Sequence, residues 1–256
     1  MSGNMSVPDT SGRVSLSNLI EDNSGNELDD SNEVGNSTNI VTDRMEVTGI
    51  ILAGGKSLRL GRNKATEIIG GMTLVERVIK SLTAVANRII LVTAGDGGSL
   101  SAIHSIEEIN DIYPGKGPLS GIYTGLHSSH TISNIVVACD MPFLNTALLE
   151  HMVRLLPGFD AIVPRWPNGF IEPLYAAYSI SCLTTMKKHL DNKQLTINGC
   201  LKEMRVSHLD KREFSKFDPD FLSFFNINNQ ADIDFANKLA ASQKMEHKAV
   251  CESPRL

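Results

Sequence analysis

Apolar residues fall into short continuous runs that alternate with stretches of helical spacing. Three runs predict buried strands: VTGIILA at 47–53, RIILVTA at 88–94 and NIVVACD at 134–140. After Thr73, a residue type that favours the N-cap of a helix, apolar residues recur every three or four positions. Apolar strands alternating with helices predict an α/β domain with a mostly parallel central sheet and helices on both faces.

The second half of the chain has a less regular pattern. Four segments predict further strands, some of them antiparallel: DAIVPRW at 160–166, EPLYAAY at 172–178, MRVSHLD at 204–210 and FLSFFNINN at 221–229. Helical spacing predicts helices in 141–156, 182–190 and 230–242. One α/β domain over residues 47–241 fits this order better than two domains do.

The first part of the chain differs in composition from the rest. Residues 1–46 are rich in Ser, Asn, Gly and Asp and hold nine acidic residues against two arginines, a net charge of −7. The whole chain carries −5, so the remainder carries +2. Such a polar segment buries too little apolar surface to offset its ordering entropy. We therefore expect a disordered acidic leader over 1–46 and a flexible tail over 242–256.

Charge and composition exclude several classes of function. A nearly neutral domain offers no clustered basic face, so no nucleic-acid partner is expected. No apolar stretch is long enough for a membrane span, and no secretory signal is visible, so we expect a cytoplasmic protein without membrane contact. The cysteines lack C-x-x-C or zinc spacing and are expected to be free thiols: Cys139, Cys182, Cys200 and Cys251.

A glycine-rich segment, LAGGKSLRLGRNK, directly follows the first strand. Gly54 and Gly55 allow backbone N–H groups to approach an anion, and Arg59 and Lys64 add positive charge, as a nucleotide triphosphate requires. The segment is not a P-loop, because Ile50 stands where that motif needs its first glycine. The pattern predicts an anion site at the carboxyl edge of the sheet, against the alternative of a flexible surface loop.

Three further segments hold candidate polar residues. Asp140 ends the third apolar strand, where a carboxylate either binds a metal or caps the next turn. Asp111 precedes a predicted helix that starts at Pro118, and it either accepts hydrogen bonds from a base or ribose or is solvated. Asn226 and Asn228 precede the last helix, where amide oxygens either contact phosphate or metal or satisfy the backbone of a turn.

Together these segments resemble one known family. LAGGKSLRLGRNK, DIYPGKGPLSG, VACDMPF, EPLYAAY and FFNINNQAD occur in the order found in molybdenum cofactor guanylyltransferases. The resemblance covers about residues 47–240. It implies a nucleotidyltransferase with a Rossmann-like α/β fold.

The resemblance also implies roles for individual residues. Those expected at the nucleotide are Leu52, Ala53, Gly54, Gly55, Lys64, Asp111 and Asp140. Those expected in catalysis are Arg59, Lys64 and Asp140. Asp140 would bind Mg²⁺, and Asn226 and Asn228 would lie near the pterin acceptor or the metal.

The implied reaction transfers GMP from GTP to the terminal phosphate of molybdopterin and releases pyrophosphate. GTP and molybdopterin are therefore the expected partners, and a molybdoenzyme or an insertion factor is a further candidate. Two alternatives stay open: transfer from CTP, or onto a sugar or hydroxy-acid phosphate, and a relative that binds nucleotide or cofactor without turnover.

Four positions depart from the family pattern. Asn63 replaces the usual Asp before the lysine, which removes a charge beside the phosphates. Leu60 replaces Met at similar volume. Thr93 stands where an Asn often contacts the nucleotide, and Glu172 stands where a His is frequent, which implies a different acceptor side.

Overall fold

The computed structural model describes residues 45–53, 64–95 and 106–252, the last ten as backbone only. The strands are β1 Val47–Leu52, β2 Ile68–Ile69, β3 Met72–Thr73, β4 Arg88–Thr93, β5 Glu107–Asn110, β6 Ser133–Ala138, β7 Ala161–Arg165, β8 Tyr175–Ser179 and β9 Val206–Asp210. The helices are α1 Leu74–Leu82, α2 Pro118–Ser128, α3 Thr146–Leu155, α4 Cys182–Asp191, α5 Ile197–Leu201, α6 Lys211–Phe214 and α7 Gln230–Glu252.

Seven strands form the central sheet in the order β5-β4-β1-β6-β8-β7-β9. Among the seven described strands of this sheet, only β8 runs against the others, since it pairs antiparallel with both β6 and β7. From β1 the chain goes to β4 and β5 on one side and then returns to β6 on the other. The direction in which successive strands are added to the sheet therefore reverses between β1 and β6. Open α/β sheets bind ligands at such a switch point.

The strands bury side chains on both faces of the sheet. Ile50 and Leu52 of β1 pack in one core with α2 and α4, whereas Val47 and Ile51 pack in another with α1 and α3. This alternation follows from the two-residue period of a strand. The prediction of an α/β domain with a mostly parallel sheet and helices on both faces is confirmed.

Two helix starts follow the sequence signals. The Thr73 side chain accepts the Glu76 N–H, and the Glu76 carboxylate accepts the Thr73 N–H, which forms a capping box at the start of α1. Pro118 is the first residue of α2, where its missing N–H costs no helical hydrogen bond. Gly117 before it has φ +77°, a conformation that side chains other than glycine rarely adopt.

Three elements differ from the sequence expectations. The segment 221–229 is not a strand, because Leu222–Phe224 form a 3₁₀ turn whose first N–H groups donate to the Asp218 carboxylate. The β2–β3 hairpin was not predicted, although Gly70-Gly71, both at positive φ, is a typical two-residue turn. The last helix continues beyond residue 242 to Glu252.

Candidate active site

A cleft of about 610 Å³ opens at the carboxyl edge of the sheet, at the switch between β1 and β6. Leu52 and Ala53 reach it from the end of β1, and Ala138 reaches it from the end of β6. The two strand ends are joined by a hydrogen bond of 3.1 Å from the Cys139 N–H to the Leu52 carbonyl. Both the volume and the position are typical of small-molecule sites.

Lys64 connects two walls of this cleft. Its Nζ donates to the Ile227 carbonyl at 2.8 Å and to Asn228 Oδ1 at 3.2 Å, and it lies 3.6 Å from the Asp140 carboxylate. The Lys64 side chain is 17% exposed, so solvent ions screen its charge less than that of a surface lysine. The ammonium is therefore a fixed positive charge at the floor of the cleft, suited to a phosphate.

Asp140 lies two residues after β6, and Lys64 and Ile227 are its neighbours. Its backbone carbonyl accepts the Ile227 N–H at 3.0 Å. Burial raises the pKa of the Asp140 carboxyl above its ordinary value, and the Lys64 ammonium opposes that shift. The side chain keeps 24% exposure, so the carboxylate is accessible to a ligand in the cleft.

The donors around Asp140 are oxygen atoms that suit a hard divalent cation. Asn226 and Asn228 line the cleft with Asp140 and carry amide oxygens, and Lys64 Nζ joins Asn228 Oδ1 to the Asp140 carboxylate. Mg²⁺ typically takes one or two protein carboxylates and completes its shell with substrate phosphates and water. One carboxylate and two amides in the cleft fit a magnesium ion that substrate phosphates help to hold. Among the described residues there is no group of three His, Cys, Asp or Glu side chains that could hold a metal.

The backbone at and after Asn228 is fixed by the start of α7, and the Asn226 side chain is fixed by its own loop. The N–H groups of Asn228 and Asn229 both donate to the Asp232 carboxylate, at 2.7 and 3.0 Å. Asn226 Nδ2 donates to the Phe224 carbonyl at 3.1 Å. Asn228 Nδ2 donates to the Asn226 carbonyl at 3.4 Å. The protein therefore orients both side-chain amides before any ligand arrives, and such preorganisation lowers the cost of binding.

Asp111 lies in the cleft wall beside the N-terminus of α2. Its Oδ1 accepts the Tyr113 N–H at 3.0 Å and the Thr124 hydroxyl at 2.9 Å, and its Oδ2 accepts the Ser120 hydroxyl at 2.6 Å. The carboxylate therefore holds the loop against the first turns of α2. Gly117 and Pro118 also line the cleft, so the positive end of this helix lies at the cleft, where it favours the binding of an anion.

The connection between β7 and β8 forms the opposite wall. Phe170, Ile171, Glu172, Pro173 and Leu174 all line the cleft. Glu172 Oε1 accepts the Trp166 indole N–H at 3.3 Å. Burial raises the pKa of Glu172, and the hydrogen bond from the indole opposes that shift.

The structure brings most of the expected site residues to this one cleft. Those that line it are Leu52, Ala53, Lys64, Asp111, Asp140, Asn226 and Asn228. Gly54, Gly55 and Arg59 lie outside the described residues, as do Leu60 and Asn63.

Thr93, which the resemblance placed at a position that often contacts the nucleotide, does not line the described part of the cleft. Its hydroxyl is buried and donates to Asn110 Oδ1 at 3.2 Å, across to β5. Sequence reasoning also missed Asn198, which lines the cleft from α5. No local motif marks Asn198, because the packing of α5 alone brings it there.

A model of the MobA-like NTP transferase domain matches residues 49–205, more than half of the chain. The chain belongs to the MobA-like NTP transferase family. This family assignment confirms the resemblance found in the motifs. It also makes the protein a nucleotidyltransferase.

Relatives of this MobA-like transferase are similar over most of their length. A protein of Desulfosudis oleivorans named molybdenum cofactor guanylyltransferase is 34% identical over 74% of this chain and 94% of its own. A protein of Pelotomaculum thermopropionicum named a probable molybdenum cofactor guanylyltransferase is 30% identical over 78% and 96%.

Solved structures share the fold of the MobA-like transferase. The crystal structure of molybdopterin-guanine dinucleotide biosynthesis protein A from Archaeoglobus fulgidus has a TM-score of 0.67 at 28% identity and covers 76% of this chain and 99% of its own. A 4-diphosphocytidyl-2C-methyl-D-erythritol synthase from Anaerococcus prevotii has a TM-score of 0.58 at 16% identity, covering 77% and 96%, which shows the fold alone. Within the described ranges, no helix is both long and apolar enough to cross a membrane.

Proposed function

We propose that this enzyme transfers GMP from GTP to the terminal phosphate of molybdopterin and releases pyrophosphate, in a magnesium-dependent reaction. The contact of Lys64 with Asp140 and Asn228 in the cleft carries the proposal, since it combines a cation for phosphate with oxygens for a metal. A relative at 34% identity is named molybdenum cofactor guanylyltransferase, and one at 30% is named a probable one, which supports the choice of nucleotide and acceptor.

The reaction needs no covalent intermediate with the protein. An oxygen of the acceptor phosphate attacks the α-phosphorus of GTP, a new P–O bond forms, and the bond to the bridging oxygen breaks. Pyrophosphate leaves with the electron pair of that bond. The attacking phosphate is already anionic near neutral pH, so no general base is required. Positioning and charge neutralisation therefore supply the rate.

The cleft residues divide between the two substrates. We assign the nucleotide to the β1–β4–β5 side, with Leu52 and Ala53 beside it and the α2 N-terminus beside its phosphates. Asp111 positions that helix through Ser120 and Thr124, and one side of its Oδ2 stays available to a ribose hydroxyl among the described contacts. We assign the acceptor to the side of Asn226 and Asn228.

The charged residues lie between these two parts. Lys64 would bind the transferred phosphate and offset the negative charge that develops on it, because its Nζ is fixed by two hydrogen bonds. Asp140 would hold magnesium together with Asn226 and Asn228. When bound, magnesium supplies further positive charge to the phosphates.

Pyrophosphate release tests the proposal directly. The purified full chain is incubated with molybdopterin, magnesium and one nucleotide at a time: GTP, CTP, ATP or UTP. We expect release with GTP, formation of a dinucleotide of molybdopterin by mass spectrometry, and loss of both with EDTA. Restoring magnesium after EDTA is the matched control.

Three outcomes would contradict the proposal. Faster release of pyrophosphate with CTP would make the enzyme a cytidylyltransferase. Release of pyrophosphate that does not depend on molybdopterin would mean that another molecule is the acceptor. Thermal stabilisation by GTP without pyrophosphate would show binding without turnover.

A further inference from the structure

Glu172 is a carboxylate that the chemistry at Lys64 and Asp140 does not use. It lines the same cleft, on the β7–β8 connection, and its N–H donates to the Pro164 carbonyl at 3.0 Å. Among the described residues no lysine, arginine or histidine forms an ion pair with it. A half-buried carboxylate without a cation is costly to the fold, so its presence in a cleft indicates a ligand.

The geometry of Glu172 is set by Trp166. The indole N–H donates to Oε1 at 3.3 Å. The indole ring is itself held by edge-on contacts with Phe214, Phe221 and Phe224, at centroid distances of 5.1 to 5.5 Å. One oxygen is therefore anchored, while the described residues offer no hydrogen-bond donor to Oε2. The cleft side of the carboxylate can accept N–H groups from a ligand.

The order of the strands indicates which substrate Glu172 meets. On the nucleotide side, Asp111 follows β5, and Leu52 and Ala53 lie at the end of β1. Asp140 follows β6, the next strand of the sheet, and Glu172 precedes β8, the strand after that. Asp140 therefore lies between the nucleotide side and Glu172. A substrate that reacts beside Asp140 and extends toward Glu172 is the acceptor. A carboxylate repels the acceptor's phosphate, so it faces the opposite end of that molecule.

That opposite end carries matching chemistry. A pterin has a ring N–H next to a 2-amino group, two parallel donors that pair with one carboxylate in bidentate fashion. Phe170 lines the cleft beside Glu172 with 58% of its surface exposed, which leaves an apolar surface for a flat ring.

We propose that Glu172 is a specificity-determining residue that accepts the paired N–H donors of the acceptor's pterin ring. This inference rests on the proposed function, because that function supplies the pterin. Guanine presents the same pair of donors, so the test must separate the acceptor from the nucleotide.

Glu172→Gln is the deciding variant. Glutamine keeps the size of the side chain, and its amide oxygen still accepts the Trp166 N–H. Its NH2 group then faces the N–H donors of the pterin, so a hydrogen-bond donor replaces the acceptor there. We expect the KM for molybdopterin to rise roughly 10- to 100-fold, since a charged hydrogen-bonded pair is lost. The KM for GTP should change less than about twofold on the same grounds. The matched control is Glu203→Gln, a surface glutamate paired with Lys188.

A binding measurement keeps the test independent of turnover. Fluorescence titration compares pterin with lumazine, which carries a carbonyl in place of the 2-amino group. The wild-type chain should prefer pterin, and Glu172→Gln should lose that preference.

The outcomes separate the two ideas. Absence of pyrophosphate release in the wild type contradicts the proposed function, whereas loss of pterin preference in Glu172→Gln still supports this inference. If Glu172→Gln raised only the KM for GTP, Glu172 would contact the guanine base, and the inference that it binds the pterin would be overturned. Equal binding of pterin and lumazine by the wild type would also overturn it, as would an unchanged KM for molybdopterin in Glu172→Gln.

Discussion

At the scale of single residues, Lys64 joins parts of the chain that lie far apart in sequence. It is the last residue of the glycine-rich segment, yet it bonds to the Ile227 carbonyl and Asn228 before α7 and lies next to Asp140 after β6. Such a residue has two roles, because it offers charge to a phosphate and also opposes the burial that raises the pKa of the Asp140 carboxyl.

Lys64→Ala should therefore abolish most of the turnover while the fold persists. We expect kcat for pyrophosphate release to fall by about 10²- to 10³-fold, the usual effect of removing one preorganised electrostatic group. Lys202→Ala, an exposed lysine in the same chain, is the control and should match the wild type. Lys64→Ala with at least a third of wild-type turnover would remove Lys64 from the chemistry.

Asp111 contributes to the stability of the fold as well as to the site, because its carboxylate accepts hydrogen bonds from the protein itself. Asp111→Ala leaves the Tyr113 N–H and the buried Thr124 hydroxyl without their acceptor. We expect the free energy of unfolding to fall by about 1–3 kcal/mol, measured by urea denaturation without nucleotide. Asp220→Ala, at an exposed position, should be neutral. Unchanged stability with lost GTP binding would show that Asp111 acts only as a ligand residue.

At the scale of elements, the site depends on how closely α2 approaches β1. Gly125 lies on the buried face of α2, and a methyl group there would overlap the Ile50 side chain. Gly121, one turn earlier, faces Leu52 with a methyl contact of 3.3 Å, which is tight but adjustable. The two glycines let the helix N-terminus sit against the end of β1, where the cleft begins.

Gly125→Ala should destabilise the domain by about 1–3 kcal/mol, as overpacking does, despite the better helix propensity of alanine. Gly121→Ala should cost less, because leucine can shift. In an Ile50→Ala background the cost of Gly125→Ala should largely vanish, which a double-mutant cycle by urea denaturation will detect. Additive effects of the two substitutions would disprove the contact.

The same scale explains what the sequence could and could not predict of the fold. The strands β1, β4 and β6 were predictable because each is buried on both faces and thus apolar throughout. The segment 221–229 is also rich in apolar residues, but its Phe221 and Phe224 rings pack on Trp166, which lies more than fifty residues earlier in the chain. Long-range packing of this kind overrides local pattern, so a strand was predicted wrongly there.

At the scale of the whole molecule, convergence of strand ends made the candidate site predictable. Ala53 and Asp140 follow parallel neighbouring strands, so their meeting at one edge follows from topology alone. Phe170 and Asn198 enter the same cleft from elements on the antiparallel side and from α5. Their approach depends on tertiary packing, which no spacing in the sequence encodes.

The apolar cores on the two faces of the sheet also predict the reactivity of the buried thiols. Cys139, Cys182 and Cys200 are free, as the sequence predicted, and Cys251 has no described side chain. Burial, with a smaller effect of Asp160, raises the pKa of Cys182 to about 12, and burial with Glu203 raises that of Cys200 to about 11.

Because only the thiolate reacts, both should resist iodoacetamide at pH 8 by at least about 10²-fold relative to the urea-unfolded chain. Raised thiol pKa values stabilise the fold fully below the unfolded pKa, and that contribution is lost as pH rises from about 9 toward 12. Peptide mapping by mass spectrometry measures the protection, and urea titrations at pH 8 and 10 measure the stability. Rapid native labelling of Cys182, or greater stability at pH 10, would contradict a closed core on the α2–α4 face of the sheet.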